Sequence, residues 1–94
     1  MKLHQKGFLL VELSHAASLW DQDLIARAMH EYALSGRYWV NSLRIALDEL
    51  AAAGLILRLD AKLGHGTNES ATTLLFCYSL SDFGHTRMRD TGLM

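Results

Sequence analysis

Ser42-Leu43-Arg44-Ile45-Ala46-Leu47-Asp48-Glu49-Leu50-Ala51-Ala52-Ala53-Gly54-Leu55-Ile56 is the stretch on which the fold turns. Leu43, Leu47 and Leu50, with Val40 ahead of them, recur every three or four residues and so share one helical face. Ala46 and the run Ala51 to Ala53 keep helix propensity high until Gly54, which suits the left-handed residue that ends a helix. A helix over about 38–53 is predicted. Beyond it the period changes: Leu55, Leu57, Leu59, Ala61 and Leu63 alternate with Ile56, Arg58, Asp60 and Lys62, the two-residue repeat of a half-buried strand.

Working outward from this junction, Gly64 to Ser70 is polar and glycine-containing, and Leu74, Phe76, Tyr78 and Leu80 then alternate with Thr73, Leu75, Cys77 and Ser79. The two alternating runs predict a hairpin with a long tip over about 55–80. Ser81 is placed to cap a last short helix through Asp90, with Phe83 and Met88 available to face inward and Gly92 to close it. Upstream, Leu9, Leu10, Leu13, Ala16 and Ala17 form one stripe of a helix over about 7–18. Leu24, Ile25, Ala28, Met29, Tyr32 and Ala33 form the stripe of another over about 21–34. For the second, Asp21 is the expected N-cap, Trp20 and Ile25 a hydrophobic staple, and Gly36 the left-handed residue after its end.

The order helix, helix, helix, strand, loop, strand, helix resembles the winged helix-turn-helix of bacterial regulators of the PadR and MarR kind. Residues 42–56 look like that family's recognition helix running into its "Ala-Gly-Leu-Ile" ending. Tyr78-Ser79-Leu80-Ser81-Asp82-Phe83-Gly84 is similar to the "Tyr-x-Leu-Thr-x-x-Gly" passage by which the second wing strand enters the final helix. The match runs from about Gly7 to Gly92. It implies an α+β fold with three helices, a two-stranded wing and a short C-terminal helix in a single domain over 1–94. It also implies sequence-specific binding of double-stranded DNA, with the third helix in the major groove and the wing on flanking backbone.

On a helix over 38–53 the arc opposite the leucines carries Tyr38, Asn41, Ser42, Ile45, Asp48 and Glu49, with Arg37 and Arg44 on its flank. Asn41 offers an amide's paired donor and acceptor to adenine, Ser42 a hydroxyl to a base or phosphate, and Arg44 a fork to guanine or phosphate. Ile45 and Tyr38 suit a thymine methyl or a sugar. Arg58, Lys62, His65, Thr67 and Asn68 are the wing's candidate phosphate contacts. Competing readings are an Arg44–Asp48 helix pair, a capping role for Asn41 and plain solvation of the hairpin. Ile45 departs from the resemblance, since arginine is frequent at that place, and Asp48 and Glu49 set two negative charges where phosphates would pass.

The composition narrows the alternatives. Of 94 residues 50% are hydrophobic and 20% charged, which describes a folding chain rather than a disordered one. Nine Lys and Arg against ten Asp and Glu give a net charge of −1, so a case for DNA must be local. Between Ser35 and His65 four basic residues face three acidic ones, a net +1. Such a thin footprint points to binding as a homodimer on a two-fold site, through Met1, Leu3, Phe8, Met88, Leu93 and Met94. It also keeps open a winged-helix adapter that binds protein instead of DNA, through Tyr38, Ile45 and the chain ends.

The single Cys77 excludes an intramolecular disulfide and fits a reducing compartment, and no apolar run approaches membrane-spanning length. A cytoplasmic protein is expected. His4, His15, His30, His65 and His85 have neither the i, i+4 spacing nor a cysteine neighbour that a metal site calls for. Gly64-His65-Gly66 lacks the Lys-Ser or Lys-Thr of a phosphate loop. No enzyme activity, metal or other cofactor is expected.

Overall fold

The computed structural model describes residues 4–65 and 72–92, those at 64, 65, 72 and 73 by backbone alone. In chain order the elements are α1 (Gln5–Ser14), β1 (Leu19–Trp20), α2 (Asp21–Glu31), α3 (Arg37–Ala52), β2 (Ile56–His65), β3 (Thr72–Leu80) and α4 (Asp82–Thr91). The class is therefore α+β: four helices and a three-stranded antiparallel sheet of order β1-β3-β2 among the described residues. None of these helices is long and apolar enough to cross a membrane.

Leu9, Leu10 and Leu13 of α1, Leu24, Ile25 and Ala28 of α2, and Leu43, Ala46, Leu47 and Leu50 of α3 meet in one core. Ile56 and Tyr78 of the sheet and Met88 of α4 complete it. α1 starts earlier than its apolar stripe suggests, because His4 Nδ1 accepts from the Lys6 amide at 3.3 Å. It also stops at Ser14, so Ala16 and Ala17 lie outside the helix: the chain must extend by Leu19 to pair Leu19 with Tyr78 and Trp20 with Cys77.

That pairing moves the start of α2. Trp20 occupies the N-cap position with extended backbone and Asp21 becomes the first helical residue, so Asp21 is not the cap that the sequence predicts. At the other end Ala33, not Gly36, takes the left-handed conformation (φ 53°), and the Leu34 amide closes onto the Met29 carbonyl at 2.8 Å. Gly36 (φ 100°) serves as the N-cap of α3.

β2 departs from simple alternation. Arg58 pairs with Tyr78 and Asp60 with Cys77, leaving Leu59 as the extra residue of a bulge. Before the bulge Ile56 points to the core; after it Ala61 and Leu63 share the side of Phe76 and Leu74. The bulge thus divides the leucines between the two faces, and Leu57, Leu59 and Leu63 are all half or more exposed. On the outer face Trp20 and Lys62 flank β3 from its two neighbours, and Lys62 Nζ lies 4.2 Å from the Trp20 ring centre. This bridge crosses above Cys77 and Leu75, both of which are buried.

α4 is docked by its first turn. The Ser81 amide donates to the Leu55 carbonyl, its hydroxyl lies 2.6 Å from the Gly54 carbonyl oxygen, and its Oγ accepts from the Gly84 amide at 2.8 Å. Met88 faces inward as expected, but Phe83 is 53% exposed, because the inward place in that turn is taken by Gly84. Of the apolar residues expected at a dimer contact, Met88 is core and Phe8 packs edge-on against Tyr32 at 5.7 Å. Met1, Leu3, Leu93 and Met94 lie outside the described residues.

Candidate nucleic-acid interface

With Leu43, Leu47 and Leu50 buried, α3 leaves a stripe of Tyr38, Asn41, Ile45 and Asp48 exposed along its 16 residues. Tyr38 and Ile45 are 72% and 58% exposed, unusual for such large apolar side chains. Tyr38 stacks edge-on against Trp39 at 5.0 Å, and Asn41, in the second turn, caps nothing. Ser42 is half-buried on one edge of the stripe and Arg37 is exposed at the start of the helix.

The positive charges are arranged differently from the sequence expectation. Arg44 does not pair with Asp48 one turn away; its Nη1 lies 3.0 Å from Oδ2 of Asp21, whose side chain is only 3% exposed. The same oxygen accepts the Phe76 amide at 3.3 Å, so one carboxylate ties the start of α2 to α3 and to β3. Asp21 Oδ1 is buried without a hydrogen-bond partner among the described residues. Loss of Arg44 would therefore leave a buried, uncompensated anion.

Arg58 reaches from β2 back to α3. Its Nη2 donates to Asp48 Oδ1 and to the Tyr78 hydroxyl, each at 3.1 Å, and its guanidinium carbon sits 3.8 Å from the Phe76 ring centre. The hydrogen bond to Tyr78 is the chief reason the Arg58 pKa is raised further, with Asp48 and Asp21 contributing charge. Burial pushes the Tyr78 phenol above its ordinary 10.0, against the opposing pull of Arg58. Glu49, the second acid of the α3 face, pairs with Lys6 of α1 at 2.9 Å.

Asp21, Arg44, Asp48, Leu74, Phe76 and Tyr78 with Leu47 thus line one cleft of about 220 Å³ between α3 and β3. Lys62 points to the other side of the sheet, over Trp20. His65 pairs with Thr72 in the ladder, its side chain outside the description, and Thr67 and Asn68 lie outside the described residues. The structure therefore sets Arg44 in the cleft and Arg58 against three of its lining residues, Asp48, Phe76 and Tyr78, places Tyr38, Asn41 and Ile45 on the adjoining helix face, and leaves Lys62 apart from both.

Neither a family model, nor a curated protein, nor a solved structure matches this chain. What the site can do is read from its own chemistry. Sequence reasoning missed Asp21 as a structural anchor, since an acid at a helix start usually serves the helix dipole and nothing local marks it for burial. It also missed the Arg58–Asp48 pair, which depends on how far the hairpin folds back. The i, i+10 separation of those two residues carries no signal of its own.

Proposed function

We propose that the chain is a winged-helix regulator of the cytoplasm that binds double-stranded DNA, α3 entering the major groove and the β2–β3 hairpin lying on adjacent backbone. The observation that carries this reading is the exposed stripe Tyr38, Asn41 and Ile45 on a helix whose opposite face is locked into the core. At 16 residues α3 is about 24 Å long, enough to lie along a groove about 12 Å wide. Asn41 is the base reader, Tyr38 and Ile45 meet thymine methyls or sugar, and Arg37 at the helix start and Arg58 on the hairpin meet phosphates. Arg44 is removed from the readers by its bond to Asp21 and instead sets the angle of α3. The reading requires neither cofactor nor catalysis. It works best as a homodimer, because one such surface neutralises few phosphates.

Fluorescence anisotropy of duplex fragments, titrated at several salt concentrations, tests it. Binding whose logarithm falls with log salt at about −0.9 per phosphate contact, and which prefers some fragments, is expected. No retention of any duplex at low salt removes the reading.

One observation favours a second reading, a winged-helix adapter that binds protein. Leu57, Leu59, Leu63 and Leu74 are each about half exposed or more, and Leu63 and Leu74 pair on one face of the hairpin, an amount of apolar surface unusual on a hairpin meant only for backbone phosphates. A chain that ignores DNA yet captures a partner, and loses it on Leu59→Ser with Leu63→Ser, is an adapter.

A further inference from the structure

Arg44 lines the cleft between α3 and β3, Arg58 lies against Asp48, Phe76 and Tyr78 of its wall, and both arginines are held by carboxylates of the same chain. The two pairs differ in what it takes to open them. In the Arg44–Asp21 pair the acid is 3% exposed and also receives the Phe76 amide, so opening it strands a buried charge. In the Arg58–Asp48 pair the side chains are 42% and 63% exposed, so either partner is solvated readily when they separate. Arg58 also keeps its place without Asp48, because Phe76 lies under its guanidinium and Tyr78 accepts one of its protons. Asp48 is therefore the exchangeable ligand of a fork already set in position.

We propose that Asp48 is an internal stand-in for a DNA phosphate, a latch that occupies Arg58 until a duplex replaces it. The proposal rests on the DNA-binding reading and adds its regulation. Asp48 follows Ile45 by three residues on the exposed face of α3, so it travels with the helix into the groove, whereas Arg58 belongs to the hairpin. A phosphate takes Arg58 only when both elements sit on the same duplex. A duplex touched by the hairpin alone meets a neutralised arginine. Asp48 thus weakens contacts made by one element and makes tight binding conditional on α3 being seated, a specificity device made from repulsion.

The test is a double-mutant cycle in the same anisotropy titration, with wild type, Asp48→Asn, Arg58→Ala and the double variant on a preferred and a scrambled duplex. Urea unfolding checks that all four fold. Asp48→Asn is expected to tighten binding roughly fivefold, with the larger gain on the scrambled duplex, and that gain is expected to vanish when Arg58 is alanine. An equal gain in both backgrounds makes Asp48 a bare repulsive charge and overturns the latch while DNA binding stands. So does no gain at all. If no variant retains either duplex, the DNA reading itself has failed, and the latch with it.

Discussion

At Asp21 a carboxylate placed for helix capping is drawn instead into the core, where it holds Arg44 and the Phe76 amide. The joint is asymmetric, because Arg44 is 30% exposed and can turn to water while Asp21 cannot. Arg44→Ala is therefore expected to destabilise the fold by about 3 kcal/mol, and Asp21→Asn, which leaves no buried charge, by only about 1–2 kcal/mol. Urea unfolding of the two variants checks the order. Breaking the exposed Arg58–Asp48 pair with Asp48→Asn should cost under about 1 kcal/mol. Tyr78 supplies a second residue-level consequence. Its folded pKa lies above its unfolded value of 10.0, so the folded state holds the proton longer. The stability this brings is complete below about pH 10 and is lost as pH rises through the folded value, with Tyr32 raised by burial and by Glu31 in the same sense. Unfolding free energies measured from about pH 8 to about pH 11 should decline, and decline less steeply in Tyr78→Phe.

Among the elements, α4 shows how a short motif acquires its physical meaning. The Ser-Asp-Phe-Gly turn docks onto the junction of α3 and β2: Ser81 bonds the Gly54 and Leu55 carbonyls, and a methyl on Gly84 would collide with the Leu55 carbonyl oxygen. Backbone cannot yield there as a flexible side chain would, so Gly84→Ala should destabilise by about 3 kcal/mol or detach α4, read by thermal unfolding and loss of helical ellipticity. The helices, the hairpin and the Ser81 and Gly92 caps were legible because each is written in local spacing and capping chemistry. β1 was not, since two residues carry no period, and its pairing with β3 is what shortens α1 and displaces the cap of α2. The bulge at Leu59 was hidden for a related reason: it changes which side of β2 faces the core, and an unbroken leucine alternation gives no hint of the extra residue. Of the candidate site, the exposed face of α3 followed from periodicity alone. The partners of Arg44 and Arg58 depend on tertiary approach and did not.

For the whole molecule, a net charge of −1 and three ion pairs that hold Arg44, Arg58 and Lys6 leave little free positive field. On the proposed DNA-binding reading, affinity comes from seated contacts and from doubling the site and not from charge, and the proposed dimer sets its third helices about 34 Å apart. The exposed leucines of the hairpin carry the proposed adapter reading instead, and stability does not separate the two. The direct measurement is a paired titration of wild type and Asn41→Ala against a preferred duplex and its scrambled counterpart at one moderate salt concentration. If α3 reads bases, the wild type discriminates between them and Asn41→Ala loses about tenfold of that preference, the equivalent of one bidentate base contact, while binding the scrambled duplex as before. Equal loss on both duplexes, or a wild type that does not tell them apart, contradicts the account.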